Sequence, residues 1–153
     1  MSDRLVSVEQ QRDGRIFVIT YSKTSDGHRI IDGTPLVVES AADAGALGDA
    51  VVTGLQRSTD GVLPARDLRQ NPPDAAFLAW VGAPTYAAYA KGVRGVEVWA
   101  EGSSDLTLVE VTPKANGGAS EGFTPMDDVE ELRSPEPSRL GAAVQRALTL
   151  ATA

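Results

Sequence analysis

Apolar and polar residues alternate along the first forty positions in the way that predicts β-strands. Short runs rich in Val, Ile and Leu are separated by Asp-Gly pairs at 13–14, 26–27 and 32–33. Asp-Gly between two such runs predicts a tight hairpin, because glycine accepts the positive φ angle that the turn requires. We therefore expect three or four antiparallel strands in this part of the chain.

Two later segments change to the helical period of 3.6 residues. The first is expected to begin after a cap at Ser40 or Asp43 and to end near residue 57. The second is expected to begin after Ser138 and to end near residue 150. The two helices have identical residues at five matching positions: Leu47/Leu140, Gly48/Gly141, Ala50/Ala143, Val51/Val144 and Leu55/Leu148.

The shared glycine is the unusual member of this pattern. Small amphipathic helices converge readily on Leu, Val and Ala, whereas glycine lowers helix stability by ~1 kcal/mol. Close approach of each helix to a sheet or to the other helix would explain it. We also expect the shared leucine and valine rows, with Leu47 and Leu148 among them, to be buried.

Shorter elements fill the rest of the chain. Residues 75–81 and 86–91 form predicted short helices capped by Asp74 and Thr85, after an irregular proline-containing connection at 62–74. Strands are predicted at 96–99 and 106–111, with one more short strand within 123–132 and a flexible glycine-rich loop at 116–122. The pattern predicts an α+β fold, in which two similar helices pack on an antiparallel sheet in a single domain over 1–153.

Composition excludes several kinds of chemistry. The chain has no cysteine and one histidine, His28, so disulfides, thiolate metal sites and cysteine nucleophiles are absent and a structural zinc site is not supported. His28 lies beside a predicted turn, and we expect it to do no catalysis. No glycine-rich segment has the spacing of a phosphate-binding loop. We expect no catalytic residues, cofactor or metal, and the lack of a long apolar run or a leader-like start favours the cytoplasm.

Charge is distributed unevenly. The formal net charge is −7, and ten of the twenty-one acidic residues lie between Glu97 and Glu136 together with only Lys114 and Arg133. This segment therefore carries −8 and the remainder +1, which disfavours nucleic-acid and membrane-surface partners and favours a basic protein. Solvated carboxylates are the alternative interpretation. The predicted partner-binding residues are Glu101, Asp105, Asp127, Asp128, Glu130 and Glu131.

Four of the eight aromatic residues are crowded into thirteen positions: Phe77, Trp80, Tyr86 and Tyr89. Such a cluster is typical of core beneath two short helices. The alternative is an aromatic-lined pocket, which would indicate a small ligand-binding or regulatory domain.

The order of several short motifs resembles the immunity proteins of contact-dependent growth inhibition and related polymorphic toxin systems. These motifs are Tyr21-Ser22-Lys23-Thr24, Leu47-Gly48-x-Ala50-Val51, Gly82-x-x-Thr85-Tyr86-x-x-Tyr89-x-Lys91, Val109-x-Val111-Thr112-Pro113-x-x-Asn116-Gly117-Gly118, Gly122-Phe123 and Leu140-Gly141-x-Ala143-Val144. The resemblance implies a small, acidic, cytoplasmic and non-enzymatic protein. Such proteins bind and block a toxic domain delivered by a neighbouring cell, often a nuclease, so the expected partner is a basic cognate toxin domain.

Overall fold

A computed structural model describes residues 3–102, 105–118 and 121–153. Within these ranges the chain forms nine strands: β1 (Asp3–Gln10), β2 (Ile16–Thr24), β3 (Arg29–Ile31), β4 (Leu36–Val38), β5 (Asp60–Leu63), β6 (Arg94–Glu101), β7 (Leu108–Asn116), β8 (Phe123–Pro125) and β9 (Glu130–Arg133). The same ranges contain four helices: α1 (Ala44–Arg57), α2 (Ala75–Val81), α3 (Tyr86–Ala90) and α4 (Pro137–Leu150).

The strands form one sheet whose central path runs β3-β2-β1-β6-β7-β8. β4 and β5 also pair with β2, and β9 pairs with β7. The β1–β2 hairpin turns at Gly14, whose φ of 92° is the positive value expected from the Asp-Gly pair. β1 then pairs antiparallel with β6, which joins the two halves of the chain at the middle of the sheet. Among the described strands only β5 pairs in the parallel sense, so the predicted antiparallel α+β fold is confirmed.

Helices α1 and α4 cover one face of this sheet. Both leucine and valine rows are buried, with exposures between 0% and 4%: Leu47, Val51, Leu55, Leu140, Val144 and Leu148. They pack in one cluster with the side chains of β1, β2, β6 and β7 that point the same way, such as Val6, Val18 and Val98. The predicted packing of the paired helices on the sheet is therefore confirmed.

The shared glycines lie where the two helices cross. A Cβ atom placed on Gly48 would lie 1.7 Å from the carbonyl oxygen of Pro137, and one on Gly141 would lie 1.8 Å from that of Ala44. The N-terminal turns of α1 and α4 therefore touch backbone to backbone. Of the two explanations that the sequence left open, contact between the helices is correct for both glycines.

The opposite face of the sheet is covered by α2 and α3 over β2 and over Glu9 of β1, and by Phe123 of β8 over Gly95 of β6. Here α2 and α3 enclose a second hydrophobic cluster, which includes Phe17 and Ile19 of β2, Phe77 of α2 and Tyr89 of α3. This arrangement leaves the outer face of β6 and β7 for the candidate site described below.

Several boundaries differ from the prediction. The single strand expected within 123–132 is two strands, β8 and β9, and α4 begins at Pro137 with Glu136 as its N-cap rather than after Ser138. β5 (Asp60–Leu63) includes Val62 and Leu63, the first two residues of the connection that was expected to be irregular over 62–74. Asp43, not Ser40, caps α1 by accepting a hydrogen bond from the Ala46 amide. In the predicted 116–122 loop, Asn116 ends β7, and residues 119 and 120 lie outside the described ranges.

Candidate functional site

Strand alternation places one tryptophan and several carboxylates on the outer face of β6. Val96, Val98 and Ala100 point into the core beneath α1 and α4 and are 0% exposed. Successive side chains of a strand point to opposite faces, so Glu97, Trp99 and Glu101 point away from those helices. All three side chains are partly buried rather than enclosed.

Cross-strand register extends this face over four strands. Trp99 lies opposite Leu5 of β1 on one side and Glu110 of β7 on the other. Glu110 in turn lies opposite Glu131 of β9. Leu5, Trp99, Glu110 and Glu131 therefore form a row across the sheet, with Glu97 and Glu101 on either side of Trp99 along β6. We call these six residues the acidic sheet face.

Leu5 and Trp99, the apolar residues of the acidic sheet face, lie outside the hydrophobic clusters of the described residues. In the part of the chain that the structure describes, neither Leu5 nor Trp99 belongs to the core beneath α1 and α4 or to the cluster beneath α2 and α3. The acidic sheet face is therefore a strand surface with two partly exposed apolar side chains, Leu5 at one end of the row and Trp99 beside Glu110.

The carboxylates of this face differ in how far nearby cations compensate them. Glu131 pairs with Arg133 at 3.0 Å, and both side chains are at least half exposed. Among the described residues, Glu97, Glu101 and Glu110 take part in no salt bridge. The acidic sheet face therefore keeps a concentrated negative charge around Trp99.

A compensated cluster borders the face at its β1 end. Asp3, opposite Glu101 in the register, lies 3.6 Å from the Lys23 amine and 3.7 Å from the Arg29 guanidinium. These two cations are held by Asp3 at the rim. A further cation, Lys114 of β7, lies beside Glu97, with its amine 3.3 Å from the hydroxyl of the opposite residue Ser7. The carboxylates without a salt bridge thus lie on β6 and β7, with Lys114 at one end of them.

The predicted partner-binding residues separate in the structure. Glu101 and Glu131 lie on the acidic sheet face. Glu130 is opposite Val111, whose buried side chain points towards the helices, and so Glu130 lies on the other side of the sheet. There it accepts two hydrogen bonds from Arg146 of α4, at 3.0 Å and 2.5 Å, which lower the pKa of its carboxyl group.

The remaining three predicted residues lie in connections between strands. Asp105 is exposed between β6 and β7, and Asp127 and Asp128 are exposed between β8 and β9. The Asp127 carbonyl accepts a hydrogen bond from the Val129 amide at 2.9 Å, which tightens that turn. Contact of any of the six residues with a partner stays a prediction.

Sequence reasoning missed Glu97, Glu110 and Trp99 as members of a common surface. A signal was present, because the run from Val96 to Glu101 alternates between apolar core residues and polar or aromatic residues. Counting acidic residues along the chain instead favoured the consecutive carboxylates. The register of β6 with β7 brings Glu110 beside Trp99, and a local sequence pattern does not determine that register.

His28 lies at a turn between strands, as predicted from the sequence. Its Nδ1 atom is 3.2 Å from the Asp26 carboxylate, and its side chain is 59% exposed. The Thr24 hydroxyl donates a hydrogen bond to Asp26 rather than to the imidazole, and this bond and His28 lower the pKa of Asp26. The arrangement is an exposed turn network and lacks the hydroxyl-to-imidazole contact of a nucleophilic triad.

The aromatic segment forms core. Phe77 and Tyr89 meet edge to face with ring centroids 4.7 Å apart, and Phe77 is 2% exposed. Trp80 packs edge to face on Phe17 at 5.0 Å. These rings pack on one another instead of lining a closed apolar pocket, and the cavity of about 420 Å³ beside them is an open one that charged residues such as Arg12 and Asp13 also line.

The Tyr89 hydroxyl supports a buried carboxylate. It donates a hydrogen bond of 2.7 Å to Glu9, which is 1% exposed, and accepts one of 2.9 Å from the Gln11 amide. Ser7 also donates to Glu9, at 2.5 Å. Burial and the Glu9 charge both raise the pKa of Tyr89, so that its hydroxyl stays protonated as a donor.

Membrane-spanning helices and groups of metal-binding side chains are both absent from the ranges 3–102, 105–118 and 121–153. None of the helices in them is long and apolar enough to cross a membrane. Nor do they contain a group of three or more His, Asp or Glu side chains that could hold a metal ion.

The fold is shared with two solved structures. Superposition on a protein of unknown function from Neisseria meningitidis gives a TM-score of 0.75 at 20% identity, covering 97% of this chain and 95% of that one. Superposition on a chain of the CdiA-CT/CdiI toxin and immunity complex from Yersinia pseudotuberculosis gives 0.71 at 17% identity, covering 97% of both chains. No family model and no curated protein matches the sequence. The resemblance to immunity proteins of contact-dependent growth inhibition is therefore confirmed at the level of the fold.

Proposed function

We propose that this protein binds a cognate toxin domain in the cytoplasm and neutralises it by occupying its surface, without catalysis. The observation that carries the proposal is the acidic sheet face, a strand surface on which carboxylates outside the described salt bridges surround a partly exposed tryptophan. The shared fold with a chain of the CdiA-CT/CdiI toxin and immunity complex supports it.

Charge indicates the nature of the toxin. We propose a basic nuclease domain, because a protein that binds phosphate backbones has a cationic surface. The net charge of −7, concentrated between Glu97 and Glu136, is complementary to such a surface and would speed association with it. Bound there, the protein would cover the cationic groups that the toxin needs for its substrate.

The structure suggests different roles for the acidic residues within this proposal. Glu101 and Glu131, on the acidic sheet face, would contact the toxin directly. Asp105, Asp127 and Asp128, exposed in strand connections, would form a rim that steers association. Glu130 is already paired with Arg146 and would contribute less.

Co-expression with the toxic C-terminal domain of a large secreted protein encoded beside this chain tests the proposal, and the lack of such a gene would count against it. We expect the chain to restore growth of cells that express this domain, and the two purified proteins to form a complex whose association slows as salt rises. An unrelated toxin domain is the matched control, because a specific inhibitor leaves its toxicity unchanged. Continued growth arrest together with no complex in a pull-down would refute the proposal.

A further inference from the structure

The centre of the acidic sheet face combines two unfavourable features in the free protein. Trp99 keeps part of its apolar surface in water. Glu97 and Glu101 lie two residues away along β6, about 7 Å by strand geometry, and Glu110 lies directly opposite at about 5 Å. Glu110 also lies directly opposite Glu131, and like charges at this spacing repel one another. Lys114 of β7 reaches the same face, but its amine lies 3.3 Å from the hydroxyl of Ser7, which is opposite Glu97, and none of the described salt bridges joins it to a carboxylate. A single cationic side chain at this position would relieve both costs.

The chemistry of the two features points to the same ligand. The face of an indole ring attracts an ammonium or guanidinium group within about 6 Å of its centre. Carboxylates beside the ring can accept hydrogen bonds from that group, and charge-assisted bonds of this kind are the stronger ones. We propose that Trp99 stacks on an arginine or lysine side chain of a basic segment of the toxin, with Glu97, Glu101 and Glu110 around the cation. This inference rests on the proposed function.

The dimensions favour a protein segment over a small cation. The row from Leu5 to Glu131 crosses four strands, and three strand spacings amount to about 14 Å. Only a chain segment extends over this width and places one cation at its centre. No described group of carboxylates could hold a metal ion there.

The border of the face determines where the segment lies. Lys23 and Arg29, both held by Asp3, would repel a basic segment at the β2 side. The carboxylates on β6, β7 and β9 attract it at the other side. The basic segment therefore lies over β6 and β7 with Trp99 beneath it, and Trp99 is the anchor of the interface. Aromatic residues at the centre of interfaces dominate binding energies in this way.

Binding of variants of this chain to the toxin domain of the growth experiment tests the inference. We expect Trp99→Ala to raise Kd by roughly 30-fold or more, the range of an interface hot spot. Glu97→Gln/Glu110→Gln should slow association and flatten its salt dependence. The matched controls are Trp80→Ala, a tryptophan 42% exposed on α2, and Glu39→Gln, an exposed carboxylate after β4. Both controls should bind like the wild type.

A second readout covers the case in which Trp99→Ala disturbs the sheet. In Trp80→Phe the only remaining tryptophan is Trp99. Labelling this variant with 5-fluorotryptophan gives one fluorine resonance, which we expect to shift when unlabelled toxin domain is added.

The outcomes separate the inference from the proposed function. Failure of the wild type to bind the toxin domain overturns the proposed function, and the inference with it. Wild-type binding with unchanged Kd in Glu97→Gln/Glu110→Gln and no shift of the Trp99 resonance overturns the inference alone. In that case the toxin docks elsewhere on the protein.

Discussion

Replacing Gly48 by alanine tests the contact between α1 and α4 directly. The new methyl carbon would lie 1.7 Å from the Pro137 carbonyl oxygen, whereas real carbon–oxygen contacts are longer than 3 Å. The obstacle is backbone, so no rotamer change relieves the clash, and the helices must separate at their crossing. Such separation also loosens the buried leucines on either side of it, Leu47 and Leu140.

Two opposing effects determine how far Gly48→Ala changes the free energy of unfolding. Alanine is favoured over glycine inside a helix by about 1 kcal/mol. Overpacking a tight interior costs roughly 1–3 kcal/mol and occasionally more, and a backbone clash of this depth belongs at the upper end. We expect a net loss of about 2 kcal/mol in the free energy of unfolding. For a protein of this length that corresponds to a fall of roughly 4–8 °C in Tm.

Urea unfolding followed by circular dichroism measures the difference, and Gly45→Ala is the matched control. Gly45 lies in the same helix, and the nearest atom to an added Cβ is the Asp43 carboxylate oxygen at 3.4 Å. At Gly45 only the higher helix propensity of alanine changes the stability, so this variant should be as stable as the wild type or up to about 1 kcal/mol more stable. If Gly48→Ala were as stable as Gly45→Ala, the close crossing of α1 and α4 would be wrong.

Three further predictions concern stability. Leu148→Ala should lower the free energy of unfolding by about 2–5 kcal/mol in urea, and a loss below 1 kcal/mol would contradict its burial. Tyr89→Phe removes a donor from the buried Glu9 carboxylate and should cost about 1–3 kcal/mol, so a neutral effect would argue against that hydrogen bond. Arg146 lowers the pKa of Glu130, so their pairing stabilises the fold above the unfolded-state pKa of about 4.3 and is lost as pH falls through the lower folded value. Wild type and Glu130→Gln should therefore differ near pH 7 and converge in acid, whereas a constant difference would refute the linkage.

The local elements follow from the sequence because short-range physics determines them. The leucine rows, led by Leu47 and Leu140, predict helices since residues three and four apart lie on one helical face. The shared glycines predict a close approach for the same local reason: glycine in a helix needs compensation. The Asp13-Gly14 pair predicts its hairpin because glycine accepts a positive φ angle. Each of these signals is complete within about a dozen residues.

Only the tertiary structure decided which acidic residues lie on a common surface. Glu130 and Glu131 are neighbours in the chain, yet strand alternation sends one to Arg146 of α4 and the other to the acidic sheet face. Glu97 and Glu110 are thirteen positions apart, yet the register of β6 with β7 places both beside Trp99. Charge counted along the sequence locates an acidic segment but not a surface. The reason is physical. Side-chain direction and cross-strand register depend on pairing between strands that are distant in the sequence, and the local pattern of apolar and polar residues does not determine that pairing.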